Sequence, residues 1–184
     1  MKTLSAYKPL LFILCILFFA SCSKEETGIE QGSLVSVKIK GASEDVNQVI
    51  LDIEEVQLLV GANEESAKWL SLETTNTGVN NISNFSQGNE LMLVNSTLVA
   101  SEKIQKIKLV LGTDNAIILN GETRSFANYE EAAEISNIVP TTLGANKAYE
   151  FTLEIEADNS FVIIENNIQF VPEMNTMMRH VNIR

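Results

Sequence analysis

VILDIEEVQLLV, residues 49–60, decides the fold class. Val49, Leu51 and Ile53 stand at one parity, and Val56, Leu58 and Val60 at the other. Apolar residues at every second position make a strand with one face in a core; a helix would repeat them every three or four. The change of parity falls on Glu54-Glu55. An extra residue there returns both apolar sets to one face. The stretch therefore predicts a single long strand with a β-bulge at the two glutamates.

The same period continues outward. Leu34, Val35, Val37 and Ile39 stand in near-alternation with Ser33, Ser36, Lys38 and Lys40. Ile104, Ile107, Leu109 and Leu111 form a further strand after a shift of parity, and Tyr149, Phe151, Leu153 and Ile155 form another. Shorter runs lie at Lys68–Leu72, Leu91–Val94, Phe161–Ile164 and Ile168–Val171, the last stopped by Pro172. Asn120-Gly121 is the dipeptide of a type I′ hairpin between two such runs. Residues 97–107 and 129–135 have room for one helical turn each. Eight or nine short strands with turn chemistry between them predict an all-β fold, a two-sheet antiparallel sandwich. Strand parity puts Leu34, Val37, Leu51, Ile53 and Trp69 inward in the first half of the chain. In the second half it puts Leu109, Leu111, Phe151, Leu153 and Phe161 there. Trp69 joins them because it and Leu72 flank a short strand after the Gly61 turn, where a large apolar residue closes a sandwich.

The N-terminus carries an address. Lys2 and Lys8 precede an apolar run, Leu10–Ala20, followed by Ser21 and Cys22. The run is too short for a membrane-spanning helix, which needs ~20 residues. A basic head, an apolar centre and small residues before a cysteine read as a lipoprotein signal peptide over 1–21, with Cys22 the lipidation site. Residues 22–31 read as a flexible tether, and 32–184 as the β-sandwich domain. Lys24, Glu25 and Glu26, directly after the cysteine, resemble the surface-export signal of Bacteroidetes lipoproteins. The expected location is the cell envelope, lipid-anchored, at the outer membrane and exposed at the surface. The expected contact with the membrane is through the lipid alone. Removing 1–21 takes two lysines and no acid, so the formal charge moves from −11 to −13. That acidity argues against nucleic acid as a partner. Cys15 leaves with the signal and Cys22 is acylated, which leaves no thiol for a disulfide, a nucleophile or a zinc site.

A set of spaced residues carries a resemblance. It comprises Val49-x-Leu51-x-Ile53-x-x-Val56-x-Leu58, Trp69-x-x-Leu72, Ile104-x-x-Ile107-x-Leu109-x-Leu111 and Phe151-x-Leu153-x-Ile155. Asp158-x-Ser160-Phe161-x-Ile163 and a stop at Val171-Pro172 follow. Over most of 32–175 the chain resembles the domain of unknown function 4382 family of bacterial lipoproteins. Glu154 and Glu156 hold the acidic places of that pattern, but Pro172-Glu173-Met174-Asn175 replaces its usual ending. The resemblance implies a prealbumin-like or immunoglobulin-like sandwich. It brings no catalytic residue to carry over.

Little in the chain points to catalysis. His180 is the only histidine and lies near the C-terminus, where exposure and disorder are the default. No Gly-x-Ser-x-Gly and no glycine-rich phosphate loop occurs. Glu154 and Glu156 would stand roughly 7 Å apart on one strand face, but acids alternating with Phe151, Leu153 and Ile155 are what a half-solvated sheet predicts. Asp158-Asn159-Ser160, with Glu156 near, offers oxygen ligands for calcium without EF-hand spacing, and reads as a turn. The sequence thus predicts no enzyme, cofactor or metal. It predicts a binding module for glycan or protein, with a structural subunit or adhesin or pilus accessory as the alternative.

Overall fold

The computed structural model describes residues 32–42, 48–100, 102–126, 134–156, 160–164, 167–171 and 173–182. β1 (Gly32–Ala42), β5 (Leu91–Ala100), β10 (Ala148–Glu156) and β13 (Met174–Val181) form a four-stranded sheet in the order β13-β10-β1-β5. The second sheet has seven strands: β2 (Gln48–Val60), β3 (Lys68–Leu72), β4 (Gly78–Asn81), β6 (Lys103–Leu111), β7 (Ala116–Leu119), β8 (Glu122–Ser125) and β9 (Glu134–Thr142). β11 (Phe161–Ile164) and β12 (Asn167–Phe170) make a separate hairpin. The expected sandwich is present, with its core between the two sheets.

β2 organises the second sheet. Val56 pairs with Leu72 of β3 and with Leu109 of β6, so these strands lie on opposite edges of β2. Ile50 likewise pairs with Asn81 of β4 and Ala116 of β7. β6 and β7 thus follow one another along the same edge. The register slips between Ile53 and Glu55, where the sequence predicts the bulge. The break between β6 and β7 is held by Asn115: its Oδ1 accepts from the Asp52 N–H at 2.9 Å, and its Nδ2 donates to the Gly112 carbonyl at 2.7 Å. The β7–β8 turn has Asn120 at φ 50° and Gly121 at φ 82°, as a type I′ hairpin requires.

Several expectations need correction. β1 pairs with β10 in parallel, so the four-stranded sheet is not antiparallel throughout. Alternation sets which face of a strand is apolar; it says nothing of the neighbour's direction. Residues 97–107 form no helical turn: Thr97–Ala100 pair with β1, and β6 begins at Lys103. A further strand, β13, follows Pro172 and pairs with β10 over its whole length, so His180 lies in a sheet. The apolar signal there is weak because most of β13 is exposed.

Trp69 is a further correction, since it is 42% exposed while Leu72 is buried. Residues three apart on a strand face opposite ways, so the two cannot share the core. By the same rule Val37 is buried and Leu34 only partly so. Phe161 is also half-buried, packed by its ring on Phe126 and Phe170. The other seven expected core residues are buried. Of 129–135, the residues up to 133 lie outside the described residues, and Glu134 opens β9.

Candidate functional site

Three features of the sandwich are open to a partner. The first is a groove of about 750 Å³ on the outer face of the four-stranded sheet. Register lays three rows across β1, β10 and β13: Ser36–Glu150–Arg179, Lys38–Thr152–Met177 and Lys40–Glu154–Asn175. These residues alternate with buried Val37, Ile39, Phe151 and Leu153, so the core fixes which side chains reach the groove. Lys40 Nζ meets Glu154 at 2.9 Å, Lys38 Nζ reaches diagonally to Glu150 at 3.0 Å, and Arg179 meets Glu150 at 2.6 Å. Gln87, Gly88 and Glu90 also line the groove. The Gly88 N–H donates to Glu90 at 2.9 Å. That bond and the backbone N–H of Glu90 hold its carboxyl below the ordinary value, with Lys38 and Arg179 contributing less.

The second feature is the edge formed by β13. Native sheets blunt their edges with short strands, prolines, bulges or covering segments. β3 and β4 are short. β9 contains Pro140. β5 is bulged opposite Val35–Lys38, with Ser96 at φ 51°, and Thr75 and Asn76 cap its Leu93 and Met92 carbonyls. Among the described residues β13 has no proline and no bulge, and its contact with β9 is through a side chain, Asn137 Nδ2 donating to Thr176 Oγ1 at 3.1 Å. It is eight residues long and pairs with β10 without a register shift. Among the described residues no backbone hydrogen bond joins its other edge to a strand. Met177, Met178 and Val181 are 40–50% exposed along it. Arg179 pairs with Glu150 while staying 68% exposed.

The third feature is the outer face of the seven-stranded sheet. One row crosses β3, β2, β6 and β9 as Trp69–Leu59–Lys106–Ile138. Lys108 Nζ lies 4.2 Å from the Trp69 ring centroid, so the indole is laid against a cation. Ile138 is 64% exposed at the far end of the row.

A family model, Domain of unknown function (DUF4382), matches residues 32–172. The chain belongs to this family. Neither a curated protein nor a solved structure matches the chain. The DUF4382 match ends just before β13, so the edge strand lies beyond the part of the chain that the family model matches.

The residues expected to carry chemistry are not gathered together. Glu154 turns to Lys40 on β1, whereas Glu156 accepts from Asn175 Nδ2 on β13 at 2.6 Å. His180 is exposed on β13, its ring centroid 4.7 Å from that of Tyr149 and tilted by 53° to it. Cys22, Lys24, Glu25, Glu26 and Asp158 lie outside the described residues. Sequence reasoning missed Lys38, Lys40, Glu150 and Arg179 as a group. The alternating lysines of β1 and glutamates of β10 were visible, but their register was not.

Proposed function

We propose that this chain is a lipid-anchored protein of the cell envelope that works by binding without turnover, and that protein is its first partner class. The observation that supports this is the β13 edge, whose main chain is paired on one side only among the described residues. An extended segment of a partner can add to such an edge through main-chain hydrogen bonds, with exposed side chains setting specificity. The structural-subunit alternative uses the same edge, filled by a neighbouring subunit. The anchor is Cys22, with Lys24, Glu25 and Glu26 directing the protein to the surface of the outer membrane.

The test is made in cells with the full chain. A photo-cross-linker at Asn175 should give one adduct of defined mass, and Met178→Lys/Val181→Lys should abolish it by charging the edge. A cross-linker at Gln57, on the opposite sheet, should give none. An adduct that persists in the charged variant would sink strand docking. Lipid labelling should be present in the parent chain and lost in Cys22→Ala; labelling that persists would remove the anchor from the reading.

A second reading, glycan binding, is supported by Trp69. An indole with one side laid on Lys108 and 42% of the residue exposed suits stacking on a sugar ring. Trp69→Ala should then lose glycan binding while remaining folded at the assay temperature.

A further inference from the structure

The groove on the four-stranded sheet has a charge balance that selects its ligand. Its lining holds three carboxylates, Glu90, Glu150 and Glu154, and three cations, Lys38, Lys40 and Arg179, which sum to zero. The two lysine pairs are tight and partly desolvated, with side-chain exposure of 11% for both Lys40 and Glu150, whereas Arg179 is 68% exposed at the outer side of the cluster. An ionic ligand would enter without a counter-charge or would have to break these pairs, stranding a partly buried charge. A neutral ligand breaks nothing. An ammonium has three N–H donors and a carboxylate about four acceptor positions. Each keeps hydrogen-bonding capacity beyond its ion pair.

Thr152 lies in the middle row, between the Lys38–Glu150–Arg179 and Lys40–Glu154 clusters. Its hydroxyl makes no hydrogen bond to the described residues. Met177 stands beside it and supplies an apolar patch. The arrangement is a polar ring of donors and acceptors around a floor that is half hydroxyl and half thioether. The volume of about 750 Å³ falls in the range of small-molecule sites.

We propose that this groove binds a short neutral saccharide, whose hydroxyls bridge the ion pairs and whose C–H face rests on Met177. The groove shares Met177, Met178 and Arg179 of β13 with the docking edge, but it uses the side chains of the outer face where strand docking uses the edge main chain; with the Trp69 reading it shares only the class of ligand.

The experiment is calorimetric titration of the full chain in detergent with maltose, cellobiose and N,N′-diacetylchitobiose. Glucuronic acid and glycylglycine serve as the anionic and zwitterionic contrasts. At least one neutral disaccharide should saturate at about 1 mM, and the two contrasts should bind at least about tenfold more weakly. Thr152→Trp fills the groove from an outward position that tolerates a large aromatic, and should abolish binding. Should that variant fail to fold, Lys40→Met/Glu154→Met removes one ion pair as a unit and should weaken binding at least about tenfold. Binding that survives in a folded groove variant overturns the proposal. So does tighter binding of either contrast, or no saturation by any neutral disaccharide up to about 10 mM. A loss in Trp69→Ala with none in Thr152→Trp would put the sugar on the other sheet and overturn it as well. Cross-linking from β13 that is unchanged by Thr152→Trp would separate this site from strand docking.

Discussion

Leu153→Ala and Trp69→Ala should differ sharply in cost, although parity alone puts both residues in the core. Leu153 is fully buried in β10, with Ile39 opposite it on β1 and Thr176 on β13. Strands on both sides prevent the site from collapsing. Truncation to alanine loses ~2.4 kcal/mol of transfer free energy, at ~0.8 per buried carbon, and the cavity raises the total to ~3–4 kcal/mol. Trp69 sits on β3, which among the described residues pairs only with β2, and is 42% exposed. Its loss removes a cation–π contact with Lys108 worth ~0.5–1 kcal/mol. It also removes a cross-strand pair with Leu59 worth ~0.2–1 kcal/mol. The sum is ~1–2 kcal/mol, against the ~3–5 kcal/mol of a truncated core tryptophan. Urea unfolding with matched m-values measures both. At roughly 2–4 °C per kcal/mol for a domain of this size, Leu153→Ala should melt some 6–16 °C lower and Trp69→Ala some 2–8 °C lower. A Trp69→Ala cost equal to or above that of Leu153→Ala would refute the exposed placement, and with it the stacking surface.

Other outcomes follow from single contacts. Asn115→Ala strips the Asp52 N–H and the Gly112 carbonyl of their side-chain partner, and should cost ~2–4 kcal/mol while speeding hydrogen exchange at the Asp52 amide; unchanged exchange would count against the bridge. Ser160 is buried, donates to the Glu156 carbonyl at 2.6 Å and accepts from the Glu173 N–H at 3.0 Å. Ser160→Ala should cost ~1–3 kcal/mol and loosen the start of β13, seen as faster exchange from Met174 onward. Glu90 is held below its ordinary value of 4.5, so its contribution is present above that pH and is lost as pH falls through the lower folded value. The urea midpoints of the parent and Glu90→Gln should therefore be separated at pH 7 and converge in acid; a gap that widens on acidification would contradict the Gly88 hydrogen bond.

Features that depend on near neighbours along the chain were legible in the residues. The parity switch at Glu54-Glu55 produced the bulge, and Asn120-Gly121 produced the hairpin, because both are local backbone properties. Alternation in β2 and β10 identified the core sides of the central strands, since a strand buried on one face writes that face at period two. Which strands meet was not legible there, because it rests on pairing between distant parts of the chain. The parallel pairing of β1 with β10 brings Lys38 and Lys40 to Glu150 and Glu154 across more than a hundred residues of chain. No local pattern encodes a register between distant strands. The position of β3 at an edge left Trp69 in solvent, because an edge strand can close one face and expose the other. β13 escaped notice for the related reason that its stability comes from β10 and not from burial of its own side chains. The groove and the edge proposed for binding are both products of strand order, which long-range pairing sets and local sequence does not.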